Sequence, residues 1–247
     1  TSSAKTRAIS SSIYFTENGK TYNMPDYFSH SVAAEKIYER LDAGLKTQIK
    51  SKTLFLLGAQ GGDIFFTYNF KFSKSNLGSG LHRMEPEEFF KAICGGNPSY
   101  VAGYAAHYAL DSSLHPVVYA YEYSHKGPLA HQRFEADLGL FISKFYHVRR
   151  TILPREKVLS CTGAVYDTIK PVAPQITVTG VERCLKRHFN YTRQLFCTKR
   201  QSYKCDYDFS TLAGAVEDAV ELGKECVKCV LTHDISGEIF QNSFLQK

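Results

Sequence analysis

No stretch of this 247-residue chain approaches the roughly 18 uninterrupted apolar residues that a membrane-spanning helix needs. Residues 1–12 are polar and hold no apolar signal-peptide core, so the expectation is a cytoplasmic protein, with secretion the alternative where a signal segment has been cleaved. No internal repeat and no low-complexity tract occurs. Hydrophobic residues at 43% and charged residues at 22% lie close to ordinary globular composition, which excludes a wholly disordered, collagen-like or coiled-coil chain. A large excess of one charge is also missing. Lys+Arg 30 against Asp+Glu 24 leaves +6, a mild excess that suits an anionic partner such as phosphate, a lipid head group or nucleic acid without naming one. Seven cysteines are an odd number, so they cannot all pair within one chain; three pairs plus one free thiol stay open. Tryptophan is absent altogether.

The length is enough to bury a substantial core. Residues 1–12 read as a leader. Residues 13–23 read as a hairpin around Asn18-Gly19, because Asn-Gly supplies the positive φ angles of a tight turn. From residue 24 to residue 247 the pattern is helical. Ser29 is positioned to cap a helix starting near His30, with Val32, Ala33, Ile37, Tyr38 and Leu41 as its apolar stripe. The run 52–57 fits a buried helix or a strand, and 58–62 breaks the chain. Pro86 with Glu85, Glu87 and Glu88 marks a helix N-terminus running to about residue 94. Asn97-Pro98 opens the next helix, which Pro116 is expected to end near His115. Further helices are expected over 129–147, 154–168, 179–200 and 210–230. Long helical segments with short joints predict one compact all-α domain.

Two of these helices carry metal-type residues at helical spacing. His107, Asp111 and His115 lie at i, i+4 and i+8, so all three project from one stripe. His131 and Glu135 repeat the i, i+4 pattern 16 residues later. Both stripes lie in apolar segments, where uncompensated His, Asp and Glu would cost several kcal/mol per charge, a cost that a bound cation removes. The mixed nitrogen and oxygen donors favour zinc over calcium or magnesium. Asp63 closes the Gly58-Ala-Gln-Gly-Gly-Asp63 turn, whose glycines let backbone approach a site closely. His82 follows Gly78-Ser-Gly-Leu, and His30 stands at a helix start.

The order of these residues resembles the bacterial zinc-dependent phospholipase C family, which shares its all-α fold with the fungal single-strand-specific zinc nucleases. The segments that carry it are Met24-Pro-Asp-Tyr-Phe-Ser-His30, Leu56-Leu-Gly-Ala-Gln-Gly-Gly-Asp63-Ile-Phe-Phe, Leu81-His82, Gly103-Tyr-Ala-Ala-His107-Tyr-Ala-Leu-Asp111-Ser-Ser-Leu-His115-Pro and His131-Gln-Arg-Phe-Glu135. By position, the resemblance implies one zinc on Asp63, His82, His107 and Asp111. It implies a second on His115, His131 and Glu135, and a third shared by His30 and Asp111. In the family an N-terminal tryptophan completes the third site; here there is none, 29 residues precede His30, and Asp26 is the nearby candidate. A second departure is Ile64 after Asp63, where choline-lipid enzymes carry an aromatic residue for the cationic head group; Phe65 and Phe66 lie close by.

The resemblance implies metal-assisted attack of water on a phosphodiester, with Asp63 ligating zinc and orienting or deprotonating the water. The expected substrate is a phospholipid, cleaved to diacylglycerol and a phosphorylated head group. The alternatives are a nuclease or small-phosphodiester hydrolase on the same fold, and a metal-binding homologue without turnover. The basic stretch 183–200, interleaved with Phe189, Tyr191 and Phe196, suits a solvated face, an anionic membrane surface or single-stranded nucleic acid. Cys226-Val-Lys-Cys229, with Cys197 and Cys205, suggests reduced packed thiols first and a structural zinc or disulfides second. His125, His147, His188 and His233 show no partner pattern.

Overall fold

Two short strands, β1 (Phe15–Glu17) and β2 (Lys20–Tyr22), pair antiparallel with Phe15 opposite Tyr22 and Glu17 opposite Lys20. That register fits the expected two-residue turn, although residues 18 and 19 fall outside the part of the chain that the computed structural model describes. The described residues are 15–17, 20–22, 27–70, 76–125, 127, 129–148, 151–197, 201–235 and 238–244. Beyond the hairpin they form a single compact multi-helix domain, as the patterning predicts.

Helix α1 (Tyr27–Arg40) begins before Ser29, so that serine is not its cap but lies buried within its first turn. Short α2 (Ala43–Gln48) follows, capped by Asp42. The ambiguous run 52–57 is helical: α3 (Lys52–Gly58) starts where the Ser51 side chain accepts a hydrogen bond from the Leu54 N–H. The break after it is a 3₁₀ segment, Gly61–Phe70, and a further short helix, α4 (Leu77–Leu81), ends at His82. Helix α5 (Pro86–Ile93) has Pro86 in its first turn, as expected.

Helix α6 (Pro98–Ser124) is the axis of the domain, packed against α1, α3, α7 (Ala130–Phe145) and α11 (Ala213–Leu231). It does not end at Pro116. A mid-helix proline costs about 3 kcal/mol through its missing N–H and ring clash. Here the proline lies on the exposed side, and the continuation buries Val118 and Tyr121, which offsets that cost. The segment 154–168 forms two helices rather than one, α8 (Arg155–Ser160) and α9 (Thr162–Ile169), meeting at Cys161. The last two long segments are α10 (Val178–Cys197) and α11, the latter entered through a 3₁₀ turn, Phe209–Leu212. Among the described residues no helix is long and apolar enough to cross a membrane.

Two backbone contacts set the depth of the site. Gly58 and Gly103 meet where α3 crosses α6: a Cβ on Gly103 would collide with the Phe55 carbonyl oxygen, and one on Gly58 with that of Tyr100. The crossing brings the 58–63 turn down onto α6 one turn before His107. The C-terminal segment returns to the same helix from the other side. The Tyr108 hydroxyl donates to the carbonyls of Ile239 and Asn242, each at 2.9 Å, and Phe244 is fully buried against Tyr108 and Phe89.

Candidate metal centre

Five elements deliver the eight residues singled out by the sequence, and all eight come together. Helix α1 supplies His30, the 3₁₀ segment Asp63, the end of α4 His82, α6 the stripe His107, Asp111 and His115, and α7 His131 and Glu135. The i, i+4, i+8 spacing on α6 is the organising device, because it points one side chain into an inner cluster, one into its middle and one into an outer cluster.

In the inner cluster, His82 Nε2, His107 Nε2 and Asp111 Oδ2 form a triangle with edges of 3.2, 3.2 and 3.5 Å. A tetrahedron around zinc, with bonds near 2.0–2.1 Å, has edges of about 3.3–3.4 Å. Asp63 Oδ1 lies 3.3 Å from His82 Nε2, and Asp63, His82 and His107 offer donors that all lie within 4.8 Å of one another. The other face of Asp111 looks outward: Oδ1 is 3.3 Å from His30 Nε2 and 3.8 Å from His115 Nδ1. In the outer cluster His131 Nε2 and His115 Nε2 stand 3.1 and 3.7 Å from Glu135 Oε1. Three triads, His30–His107–Asp111, Asp63–His82–His107 and His115–His131–Glu135, each offer donors close enough together to hold a metal ion.

The backbone explains why these side chains point inward. Gly61 has φ +48°, and a Cβ there would overlap the His107 ring. The sequence signal of glycines permitting close approach is therefore realised on His107 itself. His82 closes α4, and its Nδ1–H donates to the Gly78 carbonyl at 2.8 Å. His115 Nδ1–H likewise donates to the Phe244 carbonyl at 3.2 Å. A carbonyl only accepts, so each of these rings carries hydrogen on Nδ1 and is free to turn an Nε2 lone pair into the cluster. Histidines that hold metals are oriented this way by their outer nitrogen. His131 Nδ1 faces Glu122 Oε2 at 3.0 Å in the same role.

Lone pairs of two imidazoles and one carboxylate converging at 3.2–3.5 Å repel unless a cation lies among them. Asp111 Oδ2 is buried and accepts no well-formed hydrogen bond, which fits a cation ligand. Without a metal, protons must stand in. Burial opposes a charged His82, yet the Asp111 and Asp63 carboxylates hold it up to about 10. Burial pushes His107 well below the ordinary imidazole range, with Asp111 only partly opposing. Burial raises Asp63 above an ordinary carboxyl, its histidine neighbours notwithstanding. Burial works the same way on Asp111, but His107, His115 and His30 overcome it and hold that carboxyl low. In the outer cluster burial is likewise outweighed: Glu135 lifts His131 to about 9, and the two histidines bring Glu135 down to about 2.

Several contributors escaped sequence reasoning. Glu122 lies on the stripe of α6 itself, seven residues after His115, and that spacing was the available signal. The Gly78 and Phe244 carbonyls are backbone groups and left none. Tyr119 stacks on His115 at 5.5 Å, and Phe66 stacks on His82 at 5.4 Å. Ile64 and Phe65 are fully buried, so of the aromatic pair after Asp63 only Phe66 reaches a partly exposed position. Asp26 lies outside the described residues.

The remaining candidates belong to the fold. In the basic stretch, Arg187 donates to the Thr67 carbonyl at 2.9 Å, Lys186 pairs with Glu182, and Tyr191 is buried. Cys94, Cys161, Cys184, Cys226 and Cys229 are free thiols, and no cysteine joins a metal-type cluster among the described residues. His147 and His233 each take a left-handed conformation just past a helix end, with φ of 52° and 56°. His125 stacks on Tyr121 at 3.9 Å, and His188 is buried against Tyr27. Comparisons of the chain with family models, with curated proteins and with solved structures return no match.

Proposed function

We propose that this protein is a zinc-dependent phosphodiester hydrolase, and specifically a phospholipase C that cleaves glycerophospholipids to diacylglycerol and a phosphorylated head group. One observation carries the reading: eight imidazoles and carboxylates, spread over more than 100 residues of sequence, form an unbroken row of polar contacts no longer than 3.9 Å. Mixed nitrogen and oxygen donors at this spacing suit zinc, whereas calcium and magnesium prefer oxygen alone.

Asp63, His82, His107 and Asp111 would hold one ion, and His115, His131 and Glu135 a second. Bound there, a zinc ion supplies Lewis acidity toward phosphate oxygens and makes water a stronger acid. The chain's own groups do the rest. Asp63 would orient or deprotonate the attacking water as well as ligate the ion. His82 Nε2 and His30 Nε2 lie 3.3 and 3.9 Å from the two Asp63 oxygens. Phe66 and Tyr119 wall the two ends of the row. The basic stretch of α10 does not separate the lipid from the nuclease reading, because Arg187 and Tyr191 are committed to internal contacts and serve neither a membrane surface nor a stacking surface for bases.

The test is zinc content by elemental analysis together with turnover of a short-chain phospholipid and of single-stranded DNA. The wild type is expected to carry zinc and to hydrolyse the lipid faster than the DNA. His107→Ala and Glu135→Ala are each expected to lose metal, because each removes a donor from a different triad. Preferred hydrolysis of DNA would move the assignment to a nuclease. Absence of turnover on either substrate by zinc-loaded protein would overturn it.

A further inference from the structure

His107 belongs to two candidate triads, one with Asp63 and His82 and one with His30 and Asp111, and the two ring nitrogens of His30 have different neighbours. Nε2 lies 3.3 Å from Asp111 Oδ1, and Nδ1 lies 3.2 Å from Nδ1 of His107. The His30 and His107 rings are 4.4 Å apart, and both are buried. Two ring nitrogens at 3.2 Å need one hydrogen between them, and which ring owns it decides what His30 can do.

If His107 owns that hydrogen, its Nε2 carries a lone pair. That lone pair then completes the triangle with His82 Nε2 and Asp111 Oδ2. His30 Nδ1 becomes the acceptor, and His30 Nε2–H donates to Asp111 Oδ1. Every polar atom in this arrangement has a partner. If His30 owns the hydrogen instead, His30 Nε2 is free to bind a cation, but neutral His107 then carries its hydrogen on Nε2. That hydrogen would point into the triangle and remove His107 as a ligand. A cation on His30 and a cation held by His107 therefore compete for one hydrogen. The triangle of near-equal edges, matched to a tetrahedral face, decides between them.

We infer that His30 is a positioning residue, not the ligand of a third cation: it locks the His107 tautomer and the Asp111 carboxylate together, and the chain holds two ions. This rests on the metal reading above and departs from the three-zinc set that the resemblance implies. The link resembles the carboxylate–histidine pairs that orient metal-bound imidazoles, with a second imidazole inserted between them.

Cobalt(II) titration of the metal-free full-length protein, followed by visible absorption, tests it, with zinc content by elemental analysis in parallel. Saturation at two equivalents is expected. His30→Ala and His30→Gln should still saturate at two, with the affinity of one ion weakened about 10- to 100-fold and its absorption band altered. Saturation of the wild type at three equivalents would overturn the inference and leave the metal reading standing. Loss of a whole equivalent in a folded His30 variant, judged by circular dichroism, would do the same. No binding at all would remove both. Should neither variant fold, the wild-type stoichiometry alone still decides.

Discussion

The inner and outer clusters use the same side-chain types and share helix α6, yet they sit at different depths. The side chains of His82, His107 and Asp111 are at most 5% exposed and that of Asp63 is 9% exposed, whereas the outer side chains are 11–18% exposed and Glu122 is half in solvent. The inner cluster is assembled by backbone, through Gly61 pressed on His107 and the Gly78 carbonyl under His82. The outer one is assembled mainly by side chains, Glu122 behind His131 and Tyr119 against His115, with only the Phe244 carbonyl as a backbone anchor. Depth changes the energetics. Unneutralised carboxylates and imidazoles cost several kcal/mol per charge where they are deeply buried, so a cation would relieve more in the inner cluster than in the outer one.

The strongest way to break this comparison is Gly61→Ala. A Cβ there overlaps the His107 ring, and a non-glycine residue is strained at φ +48°. The inner ion should be lost, and activity with it by at least about a thousandfold, while the outer ion stays, so zinc content falls by one equivalent. Loss of both ions, or of neither, would show that the clusters are not separable units. A smaller effect is expected from Glu122→Gln, which leaves a neutral acceptor behind His131. Affinity for the outer ion should fall about 10- to 100-fold with the inner ion unchanged, measured by competition with a chelator of known strength.

The mildest difference is in pH. In metal-free protein His131 is raised to about 9 and His82 to about 10, above an ordinary histidine. A raised histidine stabilises the fold fully below its unfolded value near 6.5 and loses that contribution as pH climbs through its folded value. Glu135, lowered to about 2, contributes above about 4.5 and loses its contribution as pH falls through 2. His107 and His188, held low by burial, work the other way and cost stability as pH falls below about 6.5. The melting temperature of metal-free protein should thus fall on both sides of about pH 6.5, toward pH 4 and toward pH 9–10, and zinc should flatten the alkaline side. An alkaline slope unchanged by zinc would argue against the imidazoles as the binding groups.

Periodicity found most of the helices and failed where tertiary forces outweighed local ones. Pro116 is a sound stop signal, overridden because Val118 and Tyr121 gain burial beyond it. The run 52–57 could not be assigned from its pattern, since a short fully apolar segment has no visible period; Ser51 as a cap was the overlooked signal. The segment 238–244 carries no strong pattern, and its part in orienting His115 comes from a main-chain carbonyl.

By itself the sequence determined the all-helical class, the stripe of His107, Asp111 and His115, and the His131–Glu135 pair, because those follow from helical spacing within one element. Helical spacing alone left His30, Asp63 and His82 unplaced, and only the family resemblance grouped them with that stripe; the tertiary structure decided that they reach it, which oxygen of Asp111 faces which cluster, and which nitrogen of each imidazole is spent on its support. Those facts depend on contacts between groups tens of residues apart and on backbone carbonyls, and neither leaves a mark in the order of side chains.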